Sequence, residues 1–165
     1  MTTSSSPDEL LRVEGAVEQP CVLSLQDLRS IDRTFQISDV SQRISGRQGS
    51  AVQLEGLLQF VRAKPEAHYL GLHSSRDDFH ASLPLAAIRE RALLIYALDD
   101  QQLPTSAGGP VRFFILDHAA CHSHEIDECA NVKFVDRIEL TAEQGYDNRP
   151  KSDADHARLH GHDAG

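Results

Sequence analysis

Residues 103–116 read Leu-Pro-Thr-Ser-Ala-Gly-Gly-Pro-Val-Arg-Phe-Phe-Ile-Leu. A glycine-rich turn ending in Pro110 delivers the backbone into an apolar, β-favouring run. Gly108 and Gly109 have no Cβ, so they accept positive φ and let a bulky ligand approach the main chain closely. Pro110 fixes the entry to the strand. Arg112 is the cation placed where that strand leaves the turn, and its fork of donors matches phosphate oxygens. The same residues also suit a tight loop before a core strand, with a surface arginine.

The surrounding chain bounds what this turn can serve. With 165 residues it is long enough for one domain with a substantial core. A formal charge of −9, a pI near 5.4 and no basic cluster argue against a nucleic-acid or anionic-membrane surface. The opening Met-Thr-Thr-Ser-Ser-Ser-Pro-Asp-Glu carries no basic region, apolar core or twin arginine, so the expectation is a soluble cytoplasmic protein. No apolar run reaches membrane-spanning length. Three unevenly spaced cysteines do not make a secreted disulfide framework. With Trp absent, the core has to rest on Leu, Ile, Val and Ala.

The order of elements predicts an α+β fold, mixed β-sheets with short helices. Residues 1–9 are expected to be a disordered N-terminus, 10–145 the domain, and 146–165 a flexible tail holding His156, His160 and His162. Residues 11–17 read as a strand, with Gly15 at a bulge or close approach. Ser24 is placed to cap a short helix, with Asp27 three residues on and Leu25 and Leu28 on one face. Residues 34–40 look β-like, and 45–50 a loop. Residues 52–61 have the apolar spacing of an amphipathic helix. Strands follow at 68–72 and 79–83, with Asp77 and Asp78 at the turn between them. A short helix is expected at 85–91, a strand or helix end at 93–97, and strands at 113–116 and 132–140. His73 and His80 flank the Ser-Ser-Arg-Asp-Asp turn and read as solvated loop histidines. Adjacent Asp99 and Asp100 read as a turn rather than an acid/base pair.

Taken in order, the blocks resemble a known family. They are Leu-Arg-Val-Glu-Gly-Ala-Val-Glu-Gln-Pro (11–20), Leu-Ser-Leu-Gln-Asp-Leu-Arg (23–29), Ser-Leu-Pro-Leu (82–85), Ala-Leu-Leu-Ile-Tyr-Ala-Leu-Asp-Asp (92–100), the opening turn, and Val-Lys-Phe-Val-Asp-Arg-Ile-Glu-Leu (132–140). Together they resemble the molybdopterin-binding domain of the sulfite oxidase family over about residues 10–141. The resemblance implies that fold and a molybdopterin (molybdenum cofactor) oxidoreductase working with a partner redox subunit. It also implies a small anionic ligand or pterin held by Ser75, Asp77, Gly108, Gly109, Arg112 and Lys133. Three positions depart from the family pattern. The ligating cysteine expected in residues 35–45 is missing, with Ser38 or Asp39 roughly in its place, and a serine hydroxyl is a hard, protonated donor. The histidine that precedes Gly-Gly-Pro is Ala107, and the glycine of the Ser-x-Asp-Gly-Tyr motif is Asp78. These departures put the family's redox reaction in doubt and suggest a catalytically degenerate domain.

Residues 117–131 have chemistry of their own. Cys121, His122, His124 and Cys129 crowd there, and thiolate and imidazole are preferred zinc ligands. The alternative function is thus a non-catalytic ligand- or metal-binding module using this loop for zinc or another transition metal. Two further readings stand beside it: a polar surface loop, and a soft donor to the cofactor from Cys121 or Cys129.

Overall fold

The computed structural model describes residues 9–44, 46–116 and 132–148. The chain opens with β1 (Glu9–Gly15), which turns back as β2 (Cys21–Ser24) into α1 (Leu25–Arg29). Ser24 caps that helix as its sequence predicts: its Oγ accepts from the Asp27 N–H at 3.1 Å, and the Asp27 carboxylate accepts from the Ser24 N–H at 2.9 Å.

Two five-stranded sheets form among the described residues. The second sheet carries β3 (Gln36–Ile37), β4 (Ser50–Gln53), β7 (Ala92–Leu98) and β8 (Gln101–Gln102) in that order, with β9 (Arg112–Ile115) also paired to β7. The first sheet adds β5 (Tyr69–Ser74), β6 (Phe79–Pro84) and β10 (Arg137–Thr141), giving the order β2-β1-β10-β5-β6. Within it β1 and β10 run parallel and the other pairs antiparallel. Two more helices, α2 (Leu54–Phe60) and α3 (Leu85–Ile88), pack on the sheets.

β7 reads as an unbroken apolar run because both its faces are covered. Successive strand side chains point to opposite faces. Leu94 and Tyr96 enter the main core with Val13, Leu57, Leu70 and Ile138, while Leu93 and Ile95 enter a smaller core with Val40, Ile44 and Leu103. Gly15, at φ +89°, makes the expected close approach: a Cβ there would overlap the carbonyl oxygen of Leu140 on β10.

Several expectations are corrected. Residues 50–53 belong to β4 rather than to the helix, which begins at Leu54; Ala51 and Val52 alternate between the two cores. Residues 34–40 are mostly not extended. Asp32 and Asp39 accept the N–H groups of Thr34 and Ser41 at 2.8 and 2.9 Å, closing 3-10 turns on either side of the two-residue β3. In the segment 132–140 the strand starts only at Arg137, because Phe134 has φ +60° and Val135 joins Val111 by an isolated bridge.

The start of the expected tail is docked. Beside the edge strand β6, the Gly145 N–H donates to Ser82 Oγ at 2.9 Å and the Ser82 N–H to Asp147 Oδ2 at 2.9 Å. The Asn148 N–H donates to His80 O at 2.9 Å, and the His80 N–H to Asn148 Oδ1 at 2.8 Å. These bonds satisfy main-chain groups that an edge strand otherwise leaves open.

A candidate anion and cofactor site

The 3-10 turn Thr105–Ala107 ends at Gly108, whose φ of +100° is left-handed. Its N–H returns to Thr105 O, and the Gly109 N–H to Pro104 O, each at 2.9 Å. The Gly109–Pro110 peptide is cis. The two glycines serve different contacts. A Cβ on Gly109 would overlap the Leu103 carbonyl, so its bare face accommodates the protein's own backbone. A Cβ on Gly108 would lie 3.0 Å from Arg112 Cδ and 3.2 Å from Lys133 Cβ, so its bare face accommodates two cationic side chains.

Arg112 is half-buried on β9. Its Nη1 reaches the Ala107 carbonyl at 3.4 Å, and its Nε is buried with no hydrogen-bond partner. Burial holds the guanidinium below its ordinary value, and the positive charge of Arg47 adds to the shift. No carboxylate among the described residues stands within ion-pair distance of Arg112, Arg47, Arg76 or Lys133. The Phe134 N–H donates to Gly108 O at 2.8 Å. Its ring carries Arg76 Cζ at 5.3 Å and Lys133 Nζ at 5.2 Å from the centroid. Among the described residues, a cluster short of negative partners therefore forms in a chain whose net charge is −9.

Of the residues expected to hold the cofactor, the structure brings Gly108, Gly109, Arg112 and Lys133 together. Ser75 and Asp77 are exposed at the β5–β6 tip, which joins the cluster through Arg76 and the Phe134 ring. Asp78 takes φ +50°, a left-handed turn that glycine adopts freely and aspartate tolerates. Arg47, Arg76 and Phe134 escaped the sequence reading. The one signal for Arg76 was a lone cation inside the Ser-Ser-Arg-Asp-Asp turn, whereas Arg47 comes from a distant loop.

The segment that lacks the family's ligating cysteine is built differently. Ser38 and Asp39 are exposed, and they line a groove with Ser41, Gln48, Ser50, Asp99 and Asp100. Hydrogen bonds from Ser41 hold the Asp39 carboxyl below its ordinary range. That lining offers hard oxygen donors and no sulfur. Cys21 lies in another groove, with Glu18, Gln19, Phe60 and Arg62. Burial, then the charge of Asp27, push its thiol up, so it stays protonated and a weak ligand at neutral pH. Cys121, His122, His124 and Cys129 lie outside the described residues, and among the described residues no group of three or more His, Cys, Asp or Glu is placed to hold a metal ion.

One mixed and one antiparallel sheet, with a Gly-Gly-Pro turn presenting a half-buried arginine, make an α+β domain. The family model for the oxidoreductase molybdopterin binding domain matches residues 5–149, and the chain belongs to that family. Among solved structures, the sulfane dehydrogenase SoxCD from Paracoccus pantotrophus matches with a TM-score of 0.60 at 20% identity. The match covers 87% of this chain and 40% of that one, so the chain spans well under half the length of that protein. A likeness at this identity shows the fold, which is the α+β fold that the sequence blocks imply. No curated protein matches the chain.

The two candidate regions would suit the family's cofactor unequally. Its phosphate fits the unpartnered Arg112 Nε and the cations around it. The groove at Ser38 and Asp39 would offer its molybdenum no soft donor among the described residues.

Proposed function

We propose that this domain binds the phosphate end of a molybdopterin-type cofactor, and that it does not carry the family's oxidoreductase reaction by itself. The observation that carries the reading is Arg112: a half-buried guanidinium with an orphaned Nε, seated on Gly108 and facing the charge of Arg47. A buried donor without an acceptor costs about 1–3 kcal/mol, which a bound phosphate oxygen would offset. In this reading Arg112 takes the phosphate through its fork, and Lys133, Arg76 and Arg47 add charge. Gly108 keeps the approach open, and the tip with Ser75 and Asp77 borders the ligand. The cofactor, when bound, supplies redox chemistry at its metal. Ser38 and Asp39 supply oxygen where the family supplies sulfur, so this chain by itself lacks there the soft donor that the family's reaction uses at the metal.

The test is to purify the chain from a host that makes the cofactor, then measure extractable pterin by fluorescence and molybdenum by elemental analysis. Pterin near one per chain, lost on Arg112→Ala, is expected, together with no turnover of sulfite or sulfoxides. Absence of pterin from the unmodified protein would overturn the binding reading. Turnover of either substrate by the isolated chain would overturn the catalytic one.

A further inference from the structure

His73 and His80 face each other across the β5–β6 hairpin, two residues below its tip. Contrary to the solvated reading, His73 is only 4% exposed. The two Nδ1 atoms are 2.8 Å apart. At the far sides of the rings, His73 Nε2 lies 3.2 Å from Glu139 Oε1 and His80 Nε2 lies 2.9 Å from Asp78 Oδ1.

Each of these three contacts needs one proton in it. The ionised carboxylates can only accept, so both Nε2 atoms carry hydrogen. Between the Nδ1 atoms, no proton leaves two lone pairs confronting each other, and two protons leave two N–H groups doing the same. The satisfied network holds three ring protons, so one imidazole is neutral and the other cationic. His73 is the neutral one. Burial first, then the charge of Arg137, push its proton affinity down, against the opposing hydrogen bond from Glu139.

We propose that this pair is a one-proton clasp holding residues 145–148 against the edge strand β6, and that a second proton opens it. His80 is the coupling element. Its ring packs on Tyr146 with centroids 4.7 Å apart, its main-chain N–H and C=O both bond Asn148, and Asn148 Nδ2 donates to the carbonyl of Asp78 at 2.7 Å. A second proton on His73 Nδ1 sets two N–H groups against each other at this contact. The ring that gives way is His80, since His73 is enclosed. The charged and titratable groups facing the pair are Glu139 and Arg137 from β10, Glu14 from β1 through its 2.8 Å bond to Arg137, Asp78 from the tip, Asp136 beside the His73 carbonyl, and Tyr146 and Asp147 from the docked segment. Because burial and the charge of Arg137 disfavour the cationic form of His73, the second proton is taken up, and the clasp opens, only as pH falls through that lowered value.

The test combines imidazole NMR titration with amide exchange of Ser82 and Asn148, each rate normalised to its intrinsic value, between about pH 7.5 and pH 5. Expected is a loss of protection of about tenfold or more at both amides as His73 takes up its proton, and no such loss in His73→Gln, whose side chain cannot become cationic. Unchanged protection through His73 protonation, or the same loss in His73→Gln, would overturn the proposal. Should that variant not fold, Asn148→Ala leaves both rings in place while undoing the docked segment. Ser82 is then expected to exchange fast across the range, and protection that still falls as His73 takes up its proton counts against the clasp.

Discussion

Gly108 and Arg112 occupy adjoining space so closely that a Cβ on the glycine would stand 3.0 Å from Arg112 Cδ and 3.2 Å from Nη1. The arginine is thus positioned by the lack of a side chain, with no carboxylate among the described residues at ion-pair distance. Gly108→Ala pays twice, through the left-handed φ of +100° and through displacement of the guanidinium. The backbone part is about 1 kcal/mol. The side-chain part should appear as sulfate binding weakened about tenfold. Calorimetric melting and isothermal titration with sulfate separate the two.

Arg112→Gln should divide stability from binding. The wild-type guanidinium is half-buried with Nε unpartnered, so removing it takes away a desolvated donor rather than a completed bond. Urea denaturation is expected to give a midpoint that is unchanged or raised, while phosphate affinity falls at least about tenfold. Arg112→Lys retains the charge without the fork and should bind with intermediate affinity. A stability loss beyond about 2 kcal/mol for Arg112→Gln would instead make the arginine a structural tie.

How far the sequence carried the site depends on how local each feature is. The Ser24–Asp27 cap and a close approach at Gly15 were legible because a cap and a positive φ leave signatures within a few residues, whereas Leu140 as the approached strand was not. The alternation in residues 92–98 was not, since burial on both faces erases the two-residue period. Gly108, Arg112 and Lys133 were found as family blocks, yet their meeting depends on Phe134 turning left-handed beneath Gly108. Arg47 and Arg76 reach the cluster from separate loops, and nothing in their neighbours announces it. His73 looked solvated because a polar turn surrounds it in sequence, whereas β10 supplies the carboxylate that makes its burial tolerable.

Gln36 and Tyr96 tie the second sheet to the turn after α1. The Tyr96 hydroxyl donates to Gln36 Oε1 at 2.7 Å, and Gln36 Nε2 donates to the carbonyls of Leu28 and Ile31 at 2.8 and 3.1 Å. Burial pushes the Tyr96 phenol up, so it stays a neutral donor well into alkaline solution. Tyr96→Phe removes one bond and should cost about 1 kcal/mol. Gln36→Ala takes the partner from the buried Tyr96 hydroxyl and one bond each from the Leu28 and Ile31 carbonyls, so the larger loss, about 2–3 kcal/mol, is expected there. A double-mutant cycle in urea should return a coupling of about 0.5–1.5 kcal/mol. Strictly additive losses would show that the two side chains act independently.

Glu55 on α2 and Arg89 at the end of α3 form a two-point pair, with Arg89 Nη2 donating to Glu55 Oε2 at 3.1 Å and Nε to Oε1. The bond from Arg89 holds the Glu55 carboxyl below its ordinary value of 4.5, and Gln59 assists. A carboxylate lowered on folding contributes stability that is present above the unfolded value and lost as pH falls through the folded one. The pair is partly solvent-exposed, so its whole contribution is about 1 kcal/mol or less. Arg89→Ala should return the Glu55 midpoint toward 4.5 and shallow the loss of stability below that pH. Carboxyl NMR titration of Glu55 in the two chains reads the first effect, and urea midpoints measured across the acid range read the second. An unmoved Glu55 midpoint would mean that its hydrogen bond from Gln59, not the α2–α3 pair, sets the titration.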